Sequence, residues 1–278
     1  MTDIVGRTAG DGPTAALGSF RARDGSLGAP CRLDVNGPHA ALVVGKRGYG
    51  KSYTLGVLAE ELARARGVAP VVVDPMGVFA GLADGTDDVA AAVESSPAVA
   101  ADAVPPRAWC AMLDLAPSSG PGALLWRAAA DAETLSAMRR RVRDADASGP
   151  HRRAALNHLD LAAAWDVFDA DGLPATDLAT AGATVLDVSG RDAAAMNAVV
   201  RAVAAGLYDA RVGNAVDRLP WLLVDEAHAF FDGVAAPALR RLLTRGHSRA
   251  SASSRRRSAP ARCPTWPSRR PTSSSRTG

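Results

Sequence analysis

Residues 40–62 read AALVVGKRGYGKSYTLGVLAEEL, and few folds accommodate that order of residues. A valine-rich apolar run passes through Gly45, Gly48 and Gly50 into a segment of helical period. An unbroken apolar run of this length, bounded by glycine, predicts a strand at 40–45 that is buried on both faces. Over 51–66, Leu55, Leu58, Ala59 and Leu62 share one helix face, and Gly67 marks the end. A fully buried strand that turns at once into a helix is the repeating unit of a parallel α/β sheet.

The rest of the chain repeats the pattern. PVVVDP (70–75), ATVLDVSG (183–190) and LPWLLVDEAH (219–228) predict three more buried strands, and 192–212 and 236–245 predict helices. Residues 80–182 are alanine-rich and mostly helical in period, with a possible strand at WCAMLDL (109–115). The predicted organisation is a short β-rich segment at 1–38, a core at 39–246 carrying a mostly helical insertion at 80–182, and a tail at 247–278.

The glycine-rich loop carries chemistry. Gly45, Lys46, Arg47, Gly48, Tyr49, Gly50, Lys51 and Ser52 fit G-x-x-x-x-G-K-[ST], the phosphate-binding pattern. Polyphosphate needs several converging backbone N–H donors, and glycines permit the positive φ values that aim them. The helix beginning near Lys51 adds its N-terminal dipole, with Tyr53 next in its first turn. Lys46 and Lys51 are the only lysines, against 30 arginines. A compact ammonium on a long stem suits the β- and γ-phosphates as a planar guanidinium does not, which explains Lys51. Lys46 reads as a solvated loop residue, or as one that reaches a phosphate or a neighbouring subunit. The Ser52 hydroxyl is a candidate Mg²⁺ ligand.

A second set of residues ends the 219–228 strand. Asp225 is a candidate Mg²⁺ ligand through water, and Glu226 is placed to polarise an attacking water. A kinase transferring phosphate to a bound acceptor does not need that second acid, so the adjacent pair points to hydrolysis. Asp74 and Asp187 end strands on the loop's side of the sheet. Asp74 reads either as support for the Mg²⁺ shell or as a turn cap, and Asp187 as structural. His228 reads as a local hydrogen-bonding residue.

Taken in order, these elements resemble the HerA/FtsK group of P-loop ATPases, and HerA-like proteins of archaea and bacteria most closely. The resemblance covers about residues 38–246. It rests on the loop, on VVVDPMGVF (71–79), on VLDVSG (185–190) followed by a long helix, and on VDEAH (224–228). The DEAH string is also similar to superfamily-two helicases, but the surrounding elements are not. The HerA/FtsK resemblance implies an α/β P-loop NTPase with a RecA-like parallel sheet and helices on both faces. It also implies ATP and Mg²⁺ as cofactors, a homo-hexameric ring, translocation of double-stranded DNA and a NurA-type nuclease partner. A related ATPase of conjugative transfer or packaging, or a nucleotide-binding protein without turnover, would use the same site residues. Three features depart from the family: Tyr49 stands where a small residue is usual, the segment before residue 38 is short for the family's N-terminal barrel, and no polar sensor strand follows Glu226.

Charge narrows little. The net charge of +3 includes eight arginines and no acid at 247–278, so residues 1–246 carry 3 − 8 = −5. The basic balance is therefore weak support for nucleic-acid binding by the body of the chain. The arginines at 139–143, with Arg152 and Arg153, read as a solvated helix face or as contacts to DNA phosphate. Arg240, Arg241 and Arg245 are candidate fingers for a neighbouring site. Cys31, Cys110 and Cys263 match no metal spacing, which predicts a reducing, cytoplasmic setting. Apolar runs long enough for a membrane span are missing.

The tail is unlike the rest. Residues 249–278 contain no Val, Leu, Ile, Asp or Glu. As written they predict a disordered basic arm. A translation out of frame is the favoured reading. Read one base earlier, the codons of Ala250 to Ser254 allow Gly-Val-Ser-Leu-Val. Those of Arg256 to Pro260 allow Ala-Thr-Gln-Arg-Pro, similar to the family's sensor strand end, and those of Pro271 to Gly278 allow Ala-Asp-Leu-Leu-Val-Ala-His-Arg.

Overall fold

The computed structural model describes residues 3–7, 11–84, 89–180 and 182–245. The predicted out-of-frame tail lies outside the described residues.

At the N-terminus, β1 (Asp3–Val5), β2 (Thr14–Arg21) and β3 (Leu27–Asp34) form a small sheet of order β1-β3-β2. Strands β2 and β3 pair as an antiparallel hairpin with bulges near Gly18. Helix α1 (Lys51–Arg64) follows the glycine-rich loop, and β4 (Val68–Asp74) follows α1. Gly67, at φ 77, supplies the left-handed turn between them. Next come β5 (Ala91–Glu94), then α2 (Pro106–Met112), α3 (Gly120–Asp131), α4 (Leu135–Asp144), α5 (Gly149–Ala164) and α6 (Ala175–Leu178). The chain returns to the sheet with β6 (Ala183–Asp187), α7 (Ala193–Val212) and β7 (Leu219–Val224), and the described residues finish with α8 (His228–Phe231) and α9 (Ala236–Arg245).

The main sheet is parallel throughout, in the order β5-β6-β4-β7. Every residue of β4 is buried, as its unbroken apolar sequence requires of a central strand. Alternate side chains feed two cores. Val68, Val72, Val185, Trp221 and Leu223 meet Leu58, Ala59 and Leu62 of α1 on one face. Val71, Val73 and Leu186 meet Val199, Val200 and Val203 of α7 and Leu239 of α9 on the other. This is the expected α/β architecture with helices on both faces. The hairpin joins the first core through Ala15, Leu33 and Val35, and the Ala16 N–H donates to Glu61 Oε2 at 2.7 Å.

Helices α2–α5 build a third core around Trp109, Leu125, Met138 and Leu159, which meets the main body at Ala198. Each of α3, α4 and α5 opens on a hydroxyl cap: Ser119 accepts from Gly122 N–H, Thr134 from Ala137 N–H and Ser148 from His151 N–H.

Three sequence expectations are corrected. The run 40–45, expected to be a buried strand, pairs with no strand among the described residues; Leu42 is 81% exposed and Val44 78%. Strand-forming residues without a ladder to join do not make a strand. The possible strand at 109–115 is helical up to Met112, because Pro106 is preset for a first helical turn and Trp109 Nε1–H donates back to the Ala101 carbonyl at 3.0 Å. Inside the stretch expected to be mostly helical, Ala91–Glu94 is a strand that extends the main sheet along β6.

Candidate functional site

The glycine-rich loop stands at the carboxyl end of the parallel sheet. Gly48 and Gly50 take φ of 80 and 78, the left-handed region that glycine enters without strain. A Cβ at either would meet no other group within 4 Å, so it is the backbone turn, not close packing, that requires glycine there. Gly50 is also the N-cap of α1 and offers no side-chain cap. Intrahelical bonding begins with Thr54 N–H to the Gly50 carbonyl at 2.8 Å. The amides of Lys51, Ser52 and Tyr53 therefore precede the first intrahelical bond, and the first turn has no acidic residue. Those three amides and the helix dipole form an anion-binding end. Lys51 Nζ reaches back to the Lys46 carbonyl at 3.4 Å, a long contact that a phosphate oxygen can replace. Tyr49 and Tyr53 are 77% and 78% exposed.

Across the site, the Ser52 hydroxyl donates to Asp225 Oδ2 at 2.8 Å. These residues lie 173 positions apart and come from different elements, so the fold itself brings them together. Asp225 is 3% exposed. Its amide continues the ladder to the Val73 carbonyl at 3.2 Å, and its Oδ1 accepts from Glu226 N–H at 3.0 Å. Ser52 and Asp225 offer one hydroxyl and one carboxylate, both hard oxygen donors. That set suits Mg²⁺ held mainly by phosphate and water, and suits no softer metal.

Glu226 adopts φ 45, uncommon for a residue with a side chain. The turn swings its carboxylate out of the strand line, and Oε2 meets His228 Nδ1 at 3.2 Å. His228 is thus the local partner expected. The carboxyl of Asp74 is wholly buried and accepts from the amides of Met76 (3.1 Å) and Phe79 (2.8 Å), so its capping role is the one realised. Asp187 caps Ser189 N–H at 2.9 Å.

Several other candidates have partners of their own. Arg139 pairs with Asp160 and Arg141 with Asp131, and Arg152 donates to the Ala145 carbonyl. These pairings match the solvated-face reading. Arg241 pairs with Asp209 at 3.0 Å and lies over the Tyr208 ring. Arg240 donates to the Phe231 carbonyl at 3.5 Å. Among the described residues, no group of three or more His, Cys, Asp or Glu is placed to hold a metal, and no helix is long and apolar enough to cross a membrane.

Sequence reasoning missed the polar stripe of α7 that anchors the segment after Glu226. Asn197 is 5% exposed; its Nδ2 donates to the Ala229 carbonyl at 3.2 Å and its Oδ1 accepts from Ala235 N–H at 3.3 Å. Arg201 donates to the Val234 carbonyl at 2.8 Å, and burial lowers its guanidinium pKa. The available signal was Asn197 and Arg201, four positions apart on one face of an Ala/Val helix.

Comparison with known proteins bears on the fold. The family model described as "Helicase HerA, central domain" matches residues 17–118, a little over a third of the chain. The structure of VirB4 of Thermoanaerobacter pseudethanolicus superposes with a TM-score of 0.59 at 16% identity, covering 87% of this chain and 75% of that one. No curated protein matches. The chain thus resembles HerA/FtsK-type P-loop ATPases, in sequence over 17–118 and in fold over most of its length.

Proposed function

We propose that this HerA/FtsK-like chain binds Mg²⁺–ATP at residues 45–53 and hydrolyses it to drive movement along double-stranded DNA. The observation that carries the reading is the Ser52–Asp225 contact at 2.8 Å, beside a helix N-terminus free of acidic residues.

Each residue has a defined task. The turn at Gly48 and Gly50 aims backbone amides at the β- and γ-phosphates, and Lys51 places one compact positive charge between them. Ser52, and Asp225 through water, would hold Mg²⁺, which supplies charge neutralisation on the phosphate oxygens. Glu226, on its turn after β7, orients a water towards the γ-phosphate and accepts its proton. For this the carboxylate leaves His228, an exposed residue that offers little resistance.

The DNA substrate, a homo-hexameric ring, a NurA-type nuclease partner and a cytoplasmic setting belong to this proposal as what the family resemblance implies. The same site serves a conjugative-transfer ATPase, and the VirB4 fold match favours keeping that second reading.

ATP turnover with and without duplex DNA tests the proposal. Acceleration by duplex supports a DNA motor. Turnover indifferent to DNA removes the motor and leaves an ATPase. Binding without turnover in either condition overturns the hydrolytic reading.

A further inference from the structure

Asparagine closes a ring through its own backbone most readily where glycine follows, because no Cβ stands beside the attacking nitrogen. The chain has four asparagines, at 36, 157, 197 and 214, and only Asn36 precedes glycine. The fold widens that difference. Asn157 and Asn197 lie inside α5 and α7, where the next amide is held in the helical ladder. Asn214 is followed by Ala215, whose N–H donates to the Ala210 carbonyl at 2.8 Å. Among the described residues, nothing bonds to the Gly37 N–H or to the side-chain amide of Asn36.

Asn36 is exposed, in a bend that follows β3. Its own N–H donates to Asp34 Oδ1 at 3.2 Å. Its side chain lies across Gly12, where a Cβ would stand 2.7 Å from Asn36 Cγ. A Cβ at Gly37 would meet nothing within 4 Å. The link at 36–37 thus has a free attacking amide, an unbonded side chain and open space around it.

We infer that Asn36–Gly37 is a site of spontaneous deamidation. The Gly37 backbone nitrogen attacks Asn36 Cγ and closes a succinimide ring. The proton it sheds passes through water to Nδ2, and the Cγ–Nδ2 bond breaks to release ammonia. Water then opens the ring at either carbonyl, giving aspartate or isoaspartate; no other reactant is consumed. Both products carry a new carboxylate close to Asp34, whose own carboxylate pairs with Arg7 at 3.1 Å. Isoaspartate also routes the main chain through the side-chain carbon, which adds one atom to the link between β3 and the phosphate loop.

The test ages the purified full chain at mildly alkaline pH and maps it with trypsin, against a sample digested at once. Cleavage after Arg32 and Lys46 yields a peptide of residues 33–46, whose one asparagine is Asn36. That peptide should gain one mass unit with time and resolve into two species, of which the isoaspartyl one accepts a methyl group from an isoaspartyl methyltransferase. Peptides carrying Asn157, Asn197 and Asn214 should keep their mass. Gly37→Ala should slow the gain by about 10-fold, since a Cβ restricts the rotation that ring closure needs. Asn36→Ser should remove the gain altogether. Constant mass in the 33–46 peptide, a gain no faster at Asn36 than at Asn214, or an equal rate in Gly37→Ala overturns the inference. None of these readouts uses nucleotide, so the result is separate from that of the proposed ATPase activity.

Discussion

Asn197→Ala isolates the anchor behind the candidate catalytic glutamate. The wild-type side chain links α7 to both ends of the segment between Glu226 and α9, through the Ala229 carbonyl and the Ala235 amide. Its third bond, to the Ala193 carbonyl at 2.9 Å, is expendable, since that carbonyl keeps its intrahelical partner. Ala229 is exposed and regains water, so the cost falls on the buried Ala235 N–H. Stranding one buried donor costs about 1–3 kcal/mol. At ~2–4 °C per kcal/mol for a domain of this size, the melting temperature should fall by about 4–8 °C for a loss of ~2 kcal/mol. The phosphate loop is untouched, so ATP affinity should hold, while displacement of Glu226 lowers kcat by roughly 10–100-fold. Gly233 provides a second arm: a Cβ there would collide with Asn197 Oδ1. Gly233→Ala should therefore destabilise the wild type more than it destabilises Asn197→Ala. The assays are thermal melting, ATP titration and steady-state turnover. An unchanged melting temperature and kcat, or ATP affinity lost in step with kcat, would refute the reasoning.

Glu226→Gln should bind ATP as the parent does and cease turnover, because it removes a base and no phosphate contact; turnover at the parent rate removes Glu226 from the mechanism. Burial pushes the Cys110 thiol up, so a thiolate-directed reagent at neutral pH should modify half-buried Cys31 readily and Cys110 only on unfolding. Trp109→Ala empties the centre of the helical insertion, at a cost of about 3–5 kcal/mol in denaturant melts.

What was legible in the sequence follows from how each element is stabilised. The run at β4 is buried on both faces and those at β6 and β7 are buried or half-buried throughout, so their apolar character is continuous and shows without any partner in view. Strand β5 is Ala-Ala-Val-Glu, too short to carry a period, and exists only because β6 offers an edge. The run 40–45 fails in the opposite sense: its residues ask for a strand, but among the described residues no edge receives them. At the site, the loop spacing and the Asp225–Glu226 pair were visible because phosphate chemistry fixes residue types at fixed offsets. The choice between the two readings of Asp74 and the anchoring role of Asn197 were not, since both depend on backbone groups that only the folded chain brings near.

The central claim is that residues 45–52, with Asp225, form a Mg²⁺–ATP site. Calorimetric titration of ATP into the chain and into Lys51→Ala, with Mg²⁺ present, tests it most directly. One ATP per chain, with binding abolished in Lys51→Ala, is the predicted result. Equal ATP affinity in the two proteins would contradict the assignment of the site.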